Sequence, residues 1–421
     1  TASHTNGKLA AHYGLSEPSV GNPHFFIVAQ PINLEMGENF FSQHGSGGEY
    51  KSYQIIHELG EENSTTGTDL QGMQANPDLN YALGRDINAS ATQGWGLTLG
   101  EIFSSYDVKE ADYFFYNGFN SFDKTNDFEG LGHKIFGPMQ GNLFSSFHYG
   151  KLSNLIIETK GEGHLKGLSG KVLGVITESL SAARIVNLDL TADISAREQI
   201  DSGYVDSIKF LSDVSPFGSA SNTKVFFTKS KVTIDGNSNL GGFFSSATNC
   251  LISNCISSGT IDGFYTAYSS YSKNVGGFVG IAESTEIEFS YSLISPLGYG
   301  TDAYYLSDLR DLVSLFEYAF GDPGTFTNFG HIFGYADSNS SATGSFSLPL
   351  YYFEYYGSSD YETATLLNSE GAENGLEITD TSVFQTAGWD TEKIWHMADG
   401  EYPIFKWNIP VNEPPADLNS T

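Results

Sequence analysis

Lys231-Val232-Thr233-Ile234-Asp235-Gly236 alternates apolar and polar side chains, and its last four residues return as Thr260-Ile261-Asp262-Gly263. Such alternation turns one side toward a core and the other toward water, as a β-strand does. Between the two copies lie Gly241-Gly242-Phe243-Phe244 and Ile252-Ser253-Asn254. Working outward, Leu152-Ser153-Asn154 and Ile185-Val186-Asn187 share the aliphatic-x-Asn pattern, and Ile287-Glu288-Phe289 continues it without the Asn. The first residues of these four are 33, 67 and 35 positions apart, and 67 is close to two steps. The missing step falls near Lys224-Val225-Phe226-Phe227. Gly/Phe elements stand upstream of the cores: Leu143-Phe144, Gly276-Gly277-Phe278-Val279-Gly280 and Gly330-His331-Ile332-Phe333-Gly334.

One unit reads strand, turn, strand, turn, strand, turn. A unit this small cannot bury its apolar side alone, whereas stacked copies make a continuous core. The pattern predicts an all-β chain folded as a parallel β-helix, with each coil about 4.8 Å from the next. Tyr53 to Trp407 is expected to hold roughly ten to fourteen coils in a rod on the order of 50–65 Å long. Phe, Tyr and Ile should form ladders inside, and Ser, Thr and Asn ladders near the turns.

Three regions follow: an extended N-terminal arm or cap over residues 1–52, the solenoid over 53–407, and a Pro-rich acidic tail over 408–421. Phe25, Phe26, Ile27 and Val28, flanked by Pro23 and Pro31, read as a short strand within the arm. Ser307 to Phe320 breaks the rhythm. Leu309, Leu312, Val313, Phe316 and Phe320 fall near helical spacing, with Ser307 as N-cap and Gly321 behind, so one amphipathic helix is expected between coils.

Composition bounds the function. The 421 residues include 47 Gly, 31 Phe, 24 Tyr and 2 Cys, with a formal charge of −30. Abundant aromatics and 17% charged residues disfavour disorder. Two cysteines exclude a disulfide scaffold. No apolar stretch is long enough for a transmembrane helix. Nucleic acid is disfavoured as a partner, because this charge repels phosphate. Thr1 opens the chain without a basic and apolar leader, as in a mature or trimmed product. Low Cys, few Lys and many Ser, Thr, Asn and Gly suit an extracellular or cell-surface location. The strong acidity also fits a halophile's cytosol.

The glycine motif followed by a second strand resembles the GLUG-repeat proteins, bacterial exoproteins related to filamentous haemagglutinin. Gly276-Gly277-Phe278-Val279-Gly280 with Ile287 and Ser290-Tyr291 matches best, and Gly241-Gly242-Phe243-Phe244 with Ile252-Ser253-Asn254-Cys255 is a second copy. Upstream, Leu70 to Met73, Tyr81 to Thr92, Gly118-Phe119 and Phe128 to Ile135 are similar to blocks in such exoproteins. So are Gly388-Trp389, Ile394-Trp395 and Gly400 to Trp407 at the far end. Phe stands where the family has Leu. The resemblance implies a right-handed parallel β-helix, secreted or on the cell surface and common in adhesins. It implies no shared active site.

Residues with chemistry offer little convergence. Cys250 and Cys255 lack the flanking ligands of a metal site. A disulfide needs a turn to bring them together, and plain packing is the third reading, with Cys255 at the family's Ser position. His133, His148 and His164 do not follow a coil step, and His133 belongs to the family's Gly-His-x-Ile strand. Glu158 with Glu162 and Asp189 with Asp193 are pairs that 50 acids supply freely. Acid abundance allows incidental surface calcium, without a dedicated loop, and no other cofactor or metal is expected. Asp235 and Asp262 read as turn residues, and the glycine pairs as tight turns rather than phosphate cradles.

Exposed aromatics remain. Tyr351, Tyr352, Tyr355 and Tyr356 crowd too closely to be buried together, which suits core ladders, a subunit interface or a sugar platform. With Phe25 to Val28 they are the ligand or interface candidates. The expected role is non-enzymatic: an adhesin-like or structural exoprotein whose partner is a host or neighbouring-cell glycan or protein. Copies of itself are the second choice, through strand addition by the arm into a filament or sheath. A polysaccharide-active β-helix enzyme is the third.

Overall fold

The computed structural model describes residues 2–5, 8–14, 25–95, 123–139, 142–159, 172–173, 175–195, 213–236, 238–263, 274–297, 328–330, 332–343, 345–347, 381–398 and 401–409. Within them the chain is a parallel β-helix. Each full coil passes through four strands in chain order, and each joins its counterpart in the next coil. Sheet I holds Val172–Leu173, Asp213–Val214, Leu240–Gly241, Asn274–Gly276 and Asn328–Gly330. Sheet II runs from Asp123–Lys124 to Phe333–Ala336 in seven strands. Sheet III carries Tyr81–Leu83, Phe128–Glu129, Lys151–Ser153, Arg184–Val186, Lys224–Phe226, Leu251–Ser253, Glu286–Glu288 and Ser341–Thr343. Sheet IV runs from Ile87–Asn88 to Phe346–Ser347 in eight strands.

Register explains the sequence repeats. Phe128, Leu152, Ile185, Val225, Ile252, Ile287 and Ala342 form one inward column in sheet III, and the first six are fully buried. Val225 fills the missing step. The steps are uneven, since Ile185 to Val225 is longer than Val225 to Ile252, yet both pairs are in register. Thr233-Ile234-Asp235-Gly236 lies directly on Thr260-Ile261-Asp262-Gly263 in sheet IV. At the corner from sheet I to sheet II, Phe217 and Phe243 stack at 5.7 Å and Phe243 and Phe278 at 5.1 Å. The ring-for-Leu replacement in the glycine motif therefore builds an aromatic ladder. A methyl on Gly242 would run into the carbonyl of Gly277 on the next coil, so that corner requires glycine.

The described residues hold part of the ten to fourteen coils expected over Tyr53 to Trp407. Among the described residues, eight rungs stack in sheet III from Tyr81 to Thr343, which spans about 34 Å at the usual strand spacing. The expected ten to fourteen assumed nearly equal coils. The described residues also include a C-terminal module that does not coil. That module contains the one α-helix among the described residues, Thr381–Thr386, and the antiparallel pair Trp395–His396 and Ile404–Phe405. It packs on the solenoid flank. The helix expected over 307–320 and most of the tail over 408–421 lie outside the described residues.

The N-terminal region supplies four further strands. Ala2–Thr5, Lys8–Tyr13, Gly37–His44 and Tyr50–Ile56 extend sheet III beyond Tyr81. Lys8–Tyr13 pairs parallel with Gly37–His44, and parallel neighbours need a crossover. Phe25 to Val28 belongs to that crossover and forms no strand. Its backbone bonds to side chains of the coils instead of to a ladder, which is why the strand reading fails. Leu59, Leu70 and Met73 plug the open end of the core.

Candidate functional site

Sheet III turns its middle residues inward, so the residues beside them face out. Near its N-terminal end this outer side is covered by Lys8–Tyr13, Gly37–His44 and the crossover. A satellite core forms there around Leu9, Phe40, Tyr53, Ile55 and Leu131. Beside it lies a buried ionic network. Asp127 and Glu129 flank inward Phe128, and Lys151 stands on the next rung. Lys51 Nζ donates to Asp127 Oδ2 at 2.9 Å, and the Tyr53 hydroxyl donates to the same oxygen at 3.0 Å. Asp127 Oδ1 accepts the Lys151 amide at 2.9 Å. Glu129 accepts from Ser153 at 2.6 Å, Asn154 at 2.8 Å and the Leu131 amide at 3.1 Å, with Lys151 Nζ 3.7 Å away.

The charges tune one another. Burial pushes the Asp127 carboxyl up, but Lys151 and Lys51 overcome it and hold the carboxyl below the usual range. Burial raises Glu129, and Lys151 with Ser153 and Asn154 offsets only part of that. Lys151 loses by burial yet is held high by Glu129, Tyr13 and Asp127. Burial, then Asp127, pushes Tyr53 well above 10. Every carboxylate oxygen is already engaged, so the network clamps the N-terminal layer to the coils and leaves no position open for a reacting group.

The corner from sheet III to sheet IV is the second feature. Asn154, Asn187, Phe227, Asn254 and Phe289 occupy equivalent positions with φ between 47 and 54. The Asn side chains face outward and hold both chain ends. Asn154 accepts the Val28 amide at 2.9 Å and donates to the Phe26 carbonyl at 3.0 Å. Asn187 accepts from Trp407 Nε1, and Asn254 from Trp395 Nε1, each at 3.0 Å. Phe25 packs on Phe226 and Phe227 at 4.9 and 5.0 Å. Phe26 lies against Phe40, Ile27 joins the cluster around Trp395 and Phe405, and Val28 is buried. All four arm candidates thus sit against their own chain. Tyr351, Tyr352, Tyr355 and Tyr356 lie outside the described residues.

The remaining candidates do not converge. His133 is buried between Asp86, 3.1 Å from Nδ1, and the Ile32 carbonyl, 3.0 Å from Nε2. It fastens the crossover. His148 is on sheet II, and His164 and Glu162 lie outside the described residues. Glu158 pairs with Lys134 at 3.5 Å and Asp189 with Lys229 at 3.2 Å. Cys250 and Cys255 are free and buried. Each sits at a corner and points its sulfur at the carbonyl two residues back, Thr248 at 3.4 Å and Ser253 at 3.3 Å. Thr228 and Ser290 make the same bond in the Cys255 column. Burial pushes the thiols up to about 11 and about 12. Among the described residues no group of three or more His, Cys, Asp or Glu is placed to hold a metal, and no helix is long and apolar enough to cross a membrane.

Sequence reasoning missed the ionic network. Its signal was present in Asp127-Phe128-Glu129, where acids flank an inward ring, but the lysines reach it from other rungs. The spacing between described strands shows another regularity. Residues 89–122, 160–171, 196–212, 264–273 and 298–327 all follow a sheet IV strand and precede the next coil. The connection 237–239, between Gly236 and Leu240, shows how short this link becomes.

No protein-family model matches the chain, and no curated protein does. Among solved structures it is similar to an IgA1 protease at 15% identity and a TM-score of 0.35, over 76% of this chain. The chain spans 23% of that protein's length. It is also similar to a Bacteroides ovatus protein provisionally assigned as an immunoglobulin A1 protease, at 15% identity and a TM-score of 0.36, over 85% of this chain and 93% of that one.

Proposed function

We propose that the chain is a non-enzymatic, extracellular display scaffold of the adhesin type, with a host or neighbouring-cell glycan or protein as its partner. The observation that carries this reading is where the long stretches between described strands fall in the chain. Five long stretches of sequence fall between a sheet IV strand and the first described strand of the next coil, whereas the described links at the other corners are tight turns. In stacked-repeat folds, insertions collected on one side commonly form the recognition surface. Sequence composition supports recognition by aromatic contact, since Tyr113 to Tyr116 and Tyr265, Tyr268 and Tyr271 fall in these connections.

The test replaces 264–273 with a three-residue link like 237–239 and compares binding to a cell-surface glycan and protein panel. Unchanged circular dichroism with loss of binding is expected. Full binding by the shortened chain, or turnover of a glycan by the intact chain, sinks the proposal. Self-assembly is a second reading, favoured by Ala2–Thr5, which among the described residues is the outermost strand of sheet III and is paired on one side. A strict monomer by light scattering removes it.

A further inference from the structure

Aligning the rungs of sheet III brings together three cations that lie far apart in sequence. Lys151, Arg184 and Lys224 are in register on successive strands and on the outward side. Lys151 is occupied by Glu129. Arg184, half-buried, and Lys224, exposed, have no carboxylate partner among the described residues. Like charges directly opposite on neighbouring strands repel. The chain has 50 acids for 20 bases, and Lys51, Lys134, Lys151 and Lys229 all found one. Lys8, Arg85, Lys124, Lys231, Lys393 and Lys406 also lack a carboxylate partner among the described residues, but Arg184 and Lys224 stand side by side in register on adjacent strands, and an anion laid across them removes the repulsion.

The borders of the strip indicate which anion. Tyr149, Ala182 and Asn222 stand two residues before Lys151, Arg184 and Lys224, at left-handed corners that push side chains outward. Tyr149 is 78% exposed, an unusual degree for an aromatic ring at a rigid turn. On the opposite border Phe226 and Phe25 form an apolar shoulder. A stacking ring, an exposed amide and in-register cations suit carbohydrate that carries carboxylates better than they suit a peptide. The rung advance of about 4.8 Å is close to the advance of one sugar along an extended glycan.

We propose that Arg184 and Lys224, bordered by Tyr149 and Asn222, bind an extended acidic polysaccharide running along the solenoid axis. The site is separate from the insertion corner and does not depend on it. The net negative charge opposes any anionic polymer, but at physiological salt its field fades within about 8 Å, so the charges in contact at this strip set the affinity for the glycan.

The experiment uses the full chain and polygalacturonate oligomers, with methyl-esterified oligomers and polyglutamate as comparisons, read by calorimetry. Binding to the acidic oligomer is expected, at least tenfold weaker for the ester and for polyglutamate. The double variant R184Q/K224Q should lose at least tenfold while keeping its melting temperature, since neither side chain has a structural partner among the described residues. Lys231→Gln, an exposed control, should bind normally. The chain shortened at 264–273 should also bind, which separates this site from the proposed display corner. Failure to bind, binding unaltered in R184Q/K224Q, or equal binding of polyglutamate each overturns the proposal.

Discussion

At the corner from sheet III to sheet IV a single backbone angle decides which residues fit. The φ near 50 at Asn154, Asn187 and Asn254 is tolerated by Asn and strains most other L-residues by about 1–2 kcal/mol. Asn154→Gly keeps the angle but strands the Val28 amide, the Phe26 carbonyl and buried Glu129. We expect a loss of about 2–4 kcal/mol in urea unfolding. Asn154→Ala should lose about 1 kcal/mol more, from the angle alone. Equal losses would show that the corner is not strained. Cys255→Ser should change stability by less than about 1 kcal/mol, because the hydroxyl repeats the bond of Thr228 and Ser290 in the same column. A large loss there, again in urea, would mean that sulfur volume rather than the bond holds the site. The Asn corners were legible from sequence as aliphatic-x-Asn. Phe227 was not, though it takes the same angle. Its ring is held by Phe405 and Trp407, which lie so far along the chain that no local period could reveal them.

Strands in this molecule are short, and the column they share carries their stability. Ile252 is fully buried between Val225 and Ile287. Ile252→Ala should cost about 2–5 kcal/mol, the range for large-to-small changes in cores, measured by denaturant midpoint. One residue inserted within Leu251–Ser253 should do far more, since it turns the inward set outward. A tolerated insertion would mean that the ladder is not the core. Repeat spacing exposed the column but not its step lengths. Sheet register demands that Val225 lie on Ile185 and Ile252, whereas the link between coils is free to vary.

Across the whole molecule, pH should reveal how the ends are closed. Lys124 is fully buried near the plugged end and donates to the Pro77 carbonyl at 2.9 Å and the Leu79 carbonyl at 2.7 Å. Burial pushes its ammonium from 10.5 down to about 7, against the pull of Asp127 and Asp78. Between those values the unfolded chain holds a proton that the folded chain has released. Stability from this group is therefore complete above 10.5 and is lost as pH falls toward 7, with a slope near 1.4 kcal/mol per pH unit. The thiols act in the other direction. Unfolded cysteine ionises from pH 9, whereas buried Cys250 and Cys255 resist until about 11 and about 12. Their contribution is whole below pH 9 and declines above it. The two opposing slopes predict that wild-type stability, relative to Lys124→Met, climbs from pH 7 to 9. Relative to the double variant C250S/C255S, it falls beyond pH 9. Urea unfolding across pH 6 to 11 on the three proteins measures both differences. Parallel curves for wild type and Lys124→Met would mean that the lysine keeps its proton inside the fold, with the two carbonyls sufficient to hold it.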